Sequence, residues 1–316
     1  QTYGKIVMTI NARPEQIHHY QSALFNSSRW DDFVPRDDDI IITTSYKAGT
    51  TWMQGICAAL VFQQPEPPLP QDQLTPWLDA NFAPVEVVLE MLEGLENRRY
   101  IKTHLPLDGI RFLDQARYIF VGRDGRDVFM SMWNHWHNML PERIDELNNA
   151  PDRQGPTLPQ PSNDVVATFD DWLSKGSFPW EGNGYPFWSH LHHARTWLEY
   201  RHLPNILCVH YDDLLKDLDG EMRRISAYLG IQVNEELWPS LVEGVTFDSM
   251  KANANRMAPG ATQDSWKDNS NFFHKGTNKR WQGVLTDEQS AKYQELANRE
   301  LGDDLAHWLE FGGRLE

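Results

Sequence analysis

Short, uninterrupted apolar runs recur along the chain and predict the strands of a buried sheet. Runs rich in β-branched and aromatic residues, with little alternation, are typical of parallel strands that are covered on both faces. These runs are Ile40 to Thr44, Tyr118 to Val121 and Ile206 to His210, with a weaker one at Tyr100 to Thr103.

Segments of helical periodicity separate or follow these runs. They cover Thr50 to Phe62, Arg126 to Met139, Phe187 to Arg201 and Glu221 to Leu229. Strands that alternate with helices predict an α/β fold, with a central parallel β-sheet flanked by helices on both faces. In this architecture, ligands bind beyond the carboxyl ends of the strands.

Two polar, proline-rich segments interrupt the pattern, at 63–76 and 141–164. They predict loops, and long loops in a compact domain are more often lids or binding walls than spacers. Because no fixed-period repeat and no long flexible linker is visible, we expect residues 1–316 to form a single domain that contains these two segments as insertions.

The composition is that of a globular protein of enzyme size. Of the 316 residues, 40% are hydrophobic, 12% aromatic and 23% charged, which argues against disorder and against a coiled coil. The formal net charge of −16 disfavours a broad surface for nucleic acid or an anionic membrane, because phosphate groups would be repelled. A local basic pocket is compatible with this charge.

The cysteines and the chain start lead to an expectation of a cytoplasmic protein. Cys57 and Cys208 lie in apolar stretches without metal-type spacing, which predicts buried thiols in a reducing compartment. The longest apolar run, Ile56 to Phe62, is far shorter than the about 20 residues of a membrane-spanning helix. The first residues show no basic region followed by an apolar core.

The segment that follows the first predicted strand is typical of an oxyanion site. A short loop with Lys47, Ala48 and Gly49 leads into a helix that starts near Thr50. Such a junction directs backbone N–H groups and the positive end of a helix at one point. Gly49 permits close approach, Lys47 adds charge, the hydroxyls of Thr50 and Thr51 add donors, and Trp52 could stack on a base.

This loop differs from a Walker A motif, because its lysine precedes the glycine and GxxxxGK[ST] is absent. Without a serine or threonine directly after the lysine, the loop has no obvious magnesium ligand. We therefore expect a site that requires no metal.

The loop resembles the cytosolic sulfotransferases, whose 5′-phosphosulfate loop reads TYPKSGTTW where residues 44–52 read TSYKAGTTW. A second match is KTHLP at residues 102–106. The resemblance implies the P-loop-NTPase-like sulfotransferase fold. It also implies that His104 is the general base and that Lys102 lies beside the transferring group. A histidine just past a strand can be tuned to such a role.

A third match is Arg123, at the end of a predicted strand, followed by Ser131 inside the next helix. In the family these positions bind a 3′-phosphate, and a guanidinium with a nearby hydroxyl suits one phosphate group. The alternative for the isolated segment is that Arg123 pairs with Asp124 or Asp127. We expect Asp127 to be structural and to fix the start of the helix.

The remaining matches concern the nucleotide's base and 3′-phosphate. By resemblance, Tyr211 lies near the adenine, and Thr246, Phe247 and Met250 surround it, although Val245 replaces a threonine of the family. Lys275 and Gly276 keep their places in the last phosphate-binding element. His274 stands where arginine is usual, and Lys279-Arg280 replaces Gly-Asp. The resemblance runs from about residue 35 to 285.

The family implies transfer of a sulfuryl group from 3′-phosphoadenosine 5′-phosphosulfate (PAPS) to an acceptor hydroxyl, with release of PAP. Positioning and charge stabilisation by Lys47 and Lys102 would do most of the catalysis. Two alternatives stay open at this point: an atypical ATP-dependent phosphotransferase and a non-catalytic protein that binds PAP.

The acceptor is expected to be a phenol or hydrophobic alcohol, because the chain is rich in aromatics. The aromatic segment around residues 177–197 is either core packing or a wall of the acceptor pocket, with Trp180, Tyr185, Phe187 and Trp188 as candidates. The family's dimer motif is not reproduced, since Gln282 and Asp287 stand where lysine and valine would, and the oligomeric state stays open.

Overall fold

A four-stranded parallel sheet forms the centre of the computed structural model, which describes residues 13–150, 153–258, 266–268 and 276–315. The strand order is β2-β1-β3-β4, and neighbouring strands pair in parallel. The strands are β1 (Ile40–Thr44), β2 (Tyr100–Thr103), β3 (Arg117–Gly122) and β4 (Ile206–His210). All four predicted strands are confirmed.

Helices cover both faces of this sheet. Up to residue 198, they are α1 (Thr50–Phe62), α2 (Gln71–Leu74), α3 (Val85–Glu93), α4 (Gly125–Asn138), α5 (Pro141–Asn148), α6 (Val165–Ser174) and α7 (His190–Leu198). The later ones are α8 (Tyr211–Lys216), α9 (Leu218–Leu229), α10 (Trp238–Gly244), α11 (Phe247–Ala252), α12 (Ala254–Met257), α13 (Asp287–Leu301) and α14 (Asp303–Phe311). Among the described residues, no helix has the length and apolar character needed to cross a membrane.

Alternate strand residues point into two separate hydrophobic cores. Ile40 and Ile42 pack in a core with α1, α9 and α10, whereas Ile41 packs in the larger core with α4, α7 and α13. All three isoleucines are fully buried, and burial of such a side chain contributes about 1.5–3 kcal/mol. Apolar residues on both faces of the strands therefore explain the continuous apolar runs in the sequence.

Some helices begin or end at other residues than predicted, because a capping residue sets the helix end. The pattern at 187–201 predicts a helix that is too long, because Ser189 accepts a hydrogen bond from the His192 N–H and caps α7. The pattern at 221–229 predicts a start that is three residues too late, because Asp217 caps α9 and the helix begins at Leu218. The segment 141–164 is not a loop throughout, because its first part forms α5, which has a proline at its start.

The two thiols differ in burial. Cys57 is buried as predicted, whereas Cys208 on the outer strand β4 is only partly buried, so that part of the prediction was wrong. Burial raises the pKa of both thiols to about 12.

The sheet opens a crevice between β1 and β3. From the end of β1 the chain continues into α1, which packs in one core, and from the end of β3 it continues into α4, which packs in the other. Loops that leave adjacent parallel strands toward opposite faces create a ligand-binding crevice at the carboxyl edge of the sheet. The tertiary structure therefore places the predicted motifs around one opening.

Candidate active site

A cavity of about 280 Å³ lies at the carboxyl edge of the sheet; we call it the central cavity. Residues that follow each of the four strands line it, namely Lys47 after β1, His104 after β2, Arg123 after β3 and Tyr211 after β4. The predicted lysine, histidine and arginine therefore face one cavity.

The loop between β1 and α1 has the conformation of an anion-binding turn. Lys47 and Gly49 adopt positive φ angles of 66° and 120°, the left-handed region that favours glycine. A Cβ at position 49 would stand 3.0 Å from the Tyr211 ring, so the glycine is needed for close packing there. Gly49 is the N-cap of α1. It provides no side-chain cap, and the first-turn residues Thr50, Thr51 and Trp52 line the central cavity, where a helix N-terminus favours an anion.

Side-chain hydrogen bonds hold this loop in place. The hydroxyls of Thr44 and Thr50 are 2.5 Å apart, and the Ser45 hydroxyl lies 2.5 Å from Nδ1 of His190. Nε2 of His190 lies 3.0 Å from the Arg123 carbonyl. Because a carbonyl only accepts, Nε2 carries the proton and Nδ1 accepts from Ser45. His190 thus links the loop after β1 to the end of β3.

Arg123 does not pair with Asp124 or Asp127. Its guanidinium donates to Oδ1 of Asn278 at 2.9 and 3.1 Å and to the Lys47 carbonyl at 3.2 Å. It also lies over the Tyr211 ring, 3.9 Å from its centroid. Asp124 instead pairs with Arg126 at 2.8 Å. The guanidinium of Arg123 is therefore fixed at the cavity wall, and no carboxylate of the described residues forms an ion pair with it.

Asp127 has a different structural role from the predicted one. Asp124, not Asp127, caps the start of α4 through the Arg126 N–H. The Asp127 carboxylate accepts the backbone N–H groups of Lys279 and Arg280 at 2.8 and 3.0 Å. It therefore attaches segment 276–280 to α4, and Arg280 lines the central cavity near Arg123. The sequence analysis missed Arg280 as a cavity residue, because it recorded this position only as a departure from the family's Gly-Asp.

Aromatic and apolar residues form one end of the central cavity. Trp52, Tyr211, Phe247 and Met250 line it, together with Gly276. A Cβ at Gly276 would stand 2.2 Å from the Phe247 ring, so only glycine fits at this position.

Of four other predicted nucleotide-binding residues, two line the central cavity and two do not. Thr51 and Ser131 line the central cavity. Thr246 caps α11 by accepting from the Ser249 N–H. Ala48 is fully buried within the loop. The Val245 carbonyl accepts the Trp52 indole N–H at 2.8 Å. His274 and Lys275 lie outside the described residues.

His104 has the protonation state of a general base. Its Nδ1 lies 3.0 Å from the Thr44 carbonyl, so Nδ1 carries the proton and Nε2 keeps its lone pair. Burial, followed by the nearby Lys102 and Lys47 charges, lowers the pKa of His104 to about 3. The imidazole is therefore neutral at physiological pH and is able to accept a proton.

Two lysines with lowered pKa values face the same space. Burial lowers the pKa of Lys47 to about 7, with repulsion from Arg123, Lys102 and Arg280 adding to the effect. Burial lowers the pKa of Lys102 to about 8, and its ammonium lies 4.6 Å from the centroid of the Trp77 ring. An anion in the central cavity would stabilise both ammonium groups and raise both pKa values.

His135 is a second histidine of the cavity that the sequence analysis missed. It lines the central cavity one helical turn after Ser131 on α4. Its Nδ1 lies 3.4 Å from the Lys47 Nζ. The only sequence signal was the spacing of four residues from Ser131, which places both on one helical face.

The second end of the central cavity is largely apolar. It is lined by side chains that include Tyr46, Trp77, Phe82, Val88, Met91 and Met139. Both proline-rich segments supply parts of its wall, with Asp72 and Pro76 from 63–76 and Arg143 and Leu147 from 141–164. Their interpretation as lids or binding walls stays a prediction.

The aromatic segment supports the cavity instead of lining it. Phe187 and Trp188 pack against Tyr46 at 4.7 and 5.3 Å between ring centroids, and Trp180 stacks on His18 at 4.2 Å. None of these three side chains, nor Tyr185, is among the cavity-lining residues. The core-packing interpretation of this segment is therefore the better one.

Sequence comparisons match this chain to sulfotransferases. The family model described as "Sulfotransferase domain" matches residues 37–304. A glycolipid sulfotransferase of Mycobacterium bovis (strain BCG / Pasteur 1173P2) is 34% identical over 309 residues, which cover 93% of this chain and 94% of the relative. Mouse sulfotransferase 1B1 is 25% identical, with 91% of each chain covered.

Solved structures share the fold. Mouse sulfotransferase SULT7A1, solved as a complex with PAP, superposes with a TM-score of 0.66 at 20% identity. It covers 91% of this chain and 98% of its own. Retinol dehydratase in complex with androsterone and inactive cofactor PAP superposes with a TM-score of 0.68 at 21% identity, over 88% of this chain and 87% of its own.

Proposed function

The chain belongs to the sulfotransferase family, and from this membership we propose that it transfers a sulfuryl group from PAPS to a hydroxyl of a hydrophobic acceptor, with release of PAP. The observation that carries this proposal is the shared position of Lys47, His104 and Arg123 on one cavity. Family membership favours this reaction over an ATP-dependent phosphotransferase and over a non-catalytic binder, since the relatives are named sulfotransferases.

The donor's chemistry fits the residues that line the nucleotide end of the central cavity. The first turn of α1 and the loop with Gly49 offer N–H donors to a 5′-phosphosulfate. Arg123, Ser131 and Arg280 supply donors and charge for a second phosphate group. Trp52, Tyr211 and Phe247 supply flat apolar surfaces for the adenine. His274 and Lys275 remain predicted partners of the 3′-phosphate.

Three side chains of this chain support the transfer step. His104 removes the acceptor's hydroxyl proton through Nε2, because its Nδ1 proton is engaged by the Thr44 carbonyl. Lys47 and Lys102 stabilise negative charge that develops on the oxygens of the transferring group. The donor, when bound, supplies an activated sulfuryl group. A sulfuryl group carries less negative charge than a phosphoryl group, so two lysines suffice without a metal.

The acceptor that suits this cavity has a hydroxyl on an apolar body. Phe82 and Met91 line the central cavity and are also 41% and 42% exposed, so an apolar rim joins the cavity to the surface. An acceptor longer than the cavity could continue along this rim. As the acceptor we favour a glycolipid over a simple phenol or hydrophobic alcohol, because the Mycobacterium bovis relative is named a glycolipid sulfotransferase.

The test is a PAPS-dependent assay with three acceptors, a glycolipid, a simple phenol and a hydrophobic alcohol, in the presence of EDTA. We expect acceptor-dependent release of PAP and a product that has gained one sulfuryl group. A protein that binds PAP but releases none from PAPS with any acceptor would contradict the proposed reaction. Turnover with the phenol alone would contradict the glycolipid assignment and leave the reaction standing.

A further inference from the structure

One face of α4 carries two residues of the central cavity, Ser131 and His135, four residues apart, and Met139, the residue that follows the helix, lines the cavity as well. Side chains four residues apart lie one above the other on a helix. Ser131 is at the nucleotide end, and Met139 belongs to the apolar end. His135 therefore stands between the two ends, at the level of the Lys47 ammonium.

Neighbouring rings hold the His135 imidazole. Its ring centroid lies 5.3 Å from that of Tyr46 and 4.4 Å from that of Trp266. Segment 266–268 is attached to the end of α4, where Lys267 N donates to the Asn138 carbonyl at 2.8 Å. The Asn138 side chain donates in turn to the Asp268 carbonyl at 2.9 Å. The ring is 6% exposed, so its position is defined by packing.

The contact with Lys47 determines which nitrogen of His135 carries the proton. Burial and the charges of Lys47 and Lys102, with a contribution from His104, lower the pKa of His135 well below its usual value, so the ring is neutral. When Lys47 is protonated, its ammonium only donates, so Nδ1 accepts at 3.4 Å and the proton resides on Nε2. His104 has the opposite tautomer, with its proton on Nδ1. The two imidazoles therefore cannot have the same role.

We propose that His135 is a positioning residue, whose Nδ1 accepts a hydrogen bond from Lys47 and directs the ammonium at the transferring group. This inference rests on the proposed function, in which Lys47 stabilises charge on the donor. Three cations, Arg123, Lys102 and Arg280, face Lys47 and oppose its charge. A neutral imidazole acceptor stabilises the ammonium against this repulsion without adding a negative charge that would repel the donor.

Two variants test separately the hydrogen-bond acceptor of His135 and the packing of its ring. His135→Phe keeps an aromatic ring against Tyr46 and Trp266 but removes the acceptor. His135→Asn loses the ring but keeps an acceptor near the position of Nδ1. At pH 7.5 we expect His135→Phe to lower kcat/KM for PAPS by about tenfold, because hydrogen bonds to charged groups contribute measurably. The loss should shrink toward pH 6, because a larger fraction of Lys47 is protonated there even without the hydrogen bond. His135→Asn should stay within about threefold of the wild type.

A double-mutant cycle tests whether His135 acts through Lys47. In a Lys47→Ala background, His135→Phe should change kcat/KM by less than about twofold. The same tenfold loss in both backgrounds would overturn the inference, as would a His135→Phe enzyme with the wild-type pH profile.

A measurement without PAPS distinguishes failure of this inference from failure of the proposed function. The rate of acetylation of Lys47 by acetic anhydride, followed by mass spectrometry, reports the fraction of neutral amine. At pH 6 we expect His135→Phe to be labelled at Lys47 several times faster than the wild type. Unchanged labelling would overturn the inference whatever the activity. Faster labelling in an enzyme that does not turn over PAPS would contradict the proposed reaction but not this inference.

Discussion

At the scale of single residues, His104 is held neutral and in a fixed orientation, as the proposed role of a general base requires. Its Nδ1 is held by the Thr44 carbonyl, and it is surrounded by the rings of Tyr46, Trp77 and Trp188. A low pKa keeps the ring neutral.

We predict that His104→Ala lowers kcat by about 10²- to 10⁴-fold, the usual contribution of a general base. PAP affinity, measured by calorimetry, should stay within about twofold, because the nucleotide end of the cavity is unchanged. His202→Ala is the matched control, since His202 is exposed and outside the cavity. Normal turnover by the His104 variant would remove this residue from the mechanism.

Arg123 provides a second test at the residue scale. Its guanidinium is fixed by Asn278 and the Lys47 carbonyl, so it is preorganised for one phosphate group. We predict that Arg123→Ala weakens PAP by about 10- to 100-fold, in line with loss of a charge-assisted hydrogen bond. Adenosine 5′-phosphosulfate, which lacks the 3′-phosphate, should lose much less affinity. Equal losses for the two nucleotides in competition assays would show that Arg123 contacts another part of the donor.

At the scale of elements, the start of α4 organises one wall of the nucleotide end. The Asp127 carboxylate holds the backbone of Lys279 and Arg280, and burial raises the pKa of this carboxyl. Loss of these two bonds should free segment 276–280 from α4. Through these bonds, Asp127 on α4 holds Arg280 and its positive charge at the cavity.

We predict that Asp127→Ala weakens PAP by about tenfold and lowers the melting temperature, since bonds to a charged group contribute about 1.5–3 kcal/mol. Asp127→Asn should fall between this variant and the wild type, because its amide oxygen still accepts one N–H. A lowered melting temperature with unchanged PAP affinity would mean that Asp127 stabilises the fold without shaping the site.

Helix α3 offers a matched pair for testing the acceptor rim. Met91 and Val87 are both exposed, at 42% and 46%, but only Met91 lines the central cavity. We predict that Met91→Ser raises KM for a long-chain acceptor by about fivefold, because it removes apolar contact area worth about 1 kcal/mol. Val87→Ser should leave KM unchanged. If both variants behave alike, the acceptor does not follow this rim.

At the scale of the whole molecule, the fold buries several neutral histidines around the cavity and sheet. Burial lowers the pKa of His104 to about 3 and those of His190 and His210 to about 4, and lowers those of His135 and His193 strongly. In the unfolded chain these groups titrate near their usual value of about 6.5. Below that pH the unfolded chain therefore binds more protons than the native protein.

We predict that the free energy of unfolding falls as the pH drops from about 6.5 toward 4, by up to about 1.4 kcal/mol per histidine and pH unit. Among the described residues, four carboxyls act in the opposite direction to the five histidines, because burial raises the pKa of Glu181 to about 8 and also raises those of Asp79, Asp127 and Asp212. Urea unfolding at pH 7, 6 and 5 measures the slope. Constant stability over this range would contradict the buried neutral state of these histidines.

The site was predictable from the sequence to the extent that it consists of local segments. The loop with Lys47 and Gly49, the pair Lys102 and His104, and Arg123 at a strand end were all identified before their arrangement was known. Each lies at or just past the end of a short strand predicted from its apolar residues, so the position of its backbone at the sheet edge follows from the hydrophobic pattern.

His135, Arg280 and Asp127 were not predictable in their roles, because each depends on a contact across more than 80 residues of sequence. The aromatic segment at 177–197 was ambiguous for the same reason, since an aromatic side chain packs equally well in a core or in a cavity wall.

The sequence by itself determined the strands, the anion-binding turn and the family, because these are encoded in runs of neighbouring residues and their local backbone preferences. The tertiary structure decided which charges face one another, which imidazole nitrogen carries the proton and which aromatic side chains line the cavity. These properties depend on distances and burial between elements far apart in the chain, and only packing of the sheet and its helices sets those.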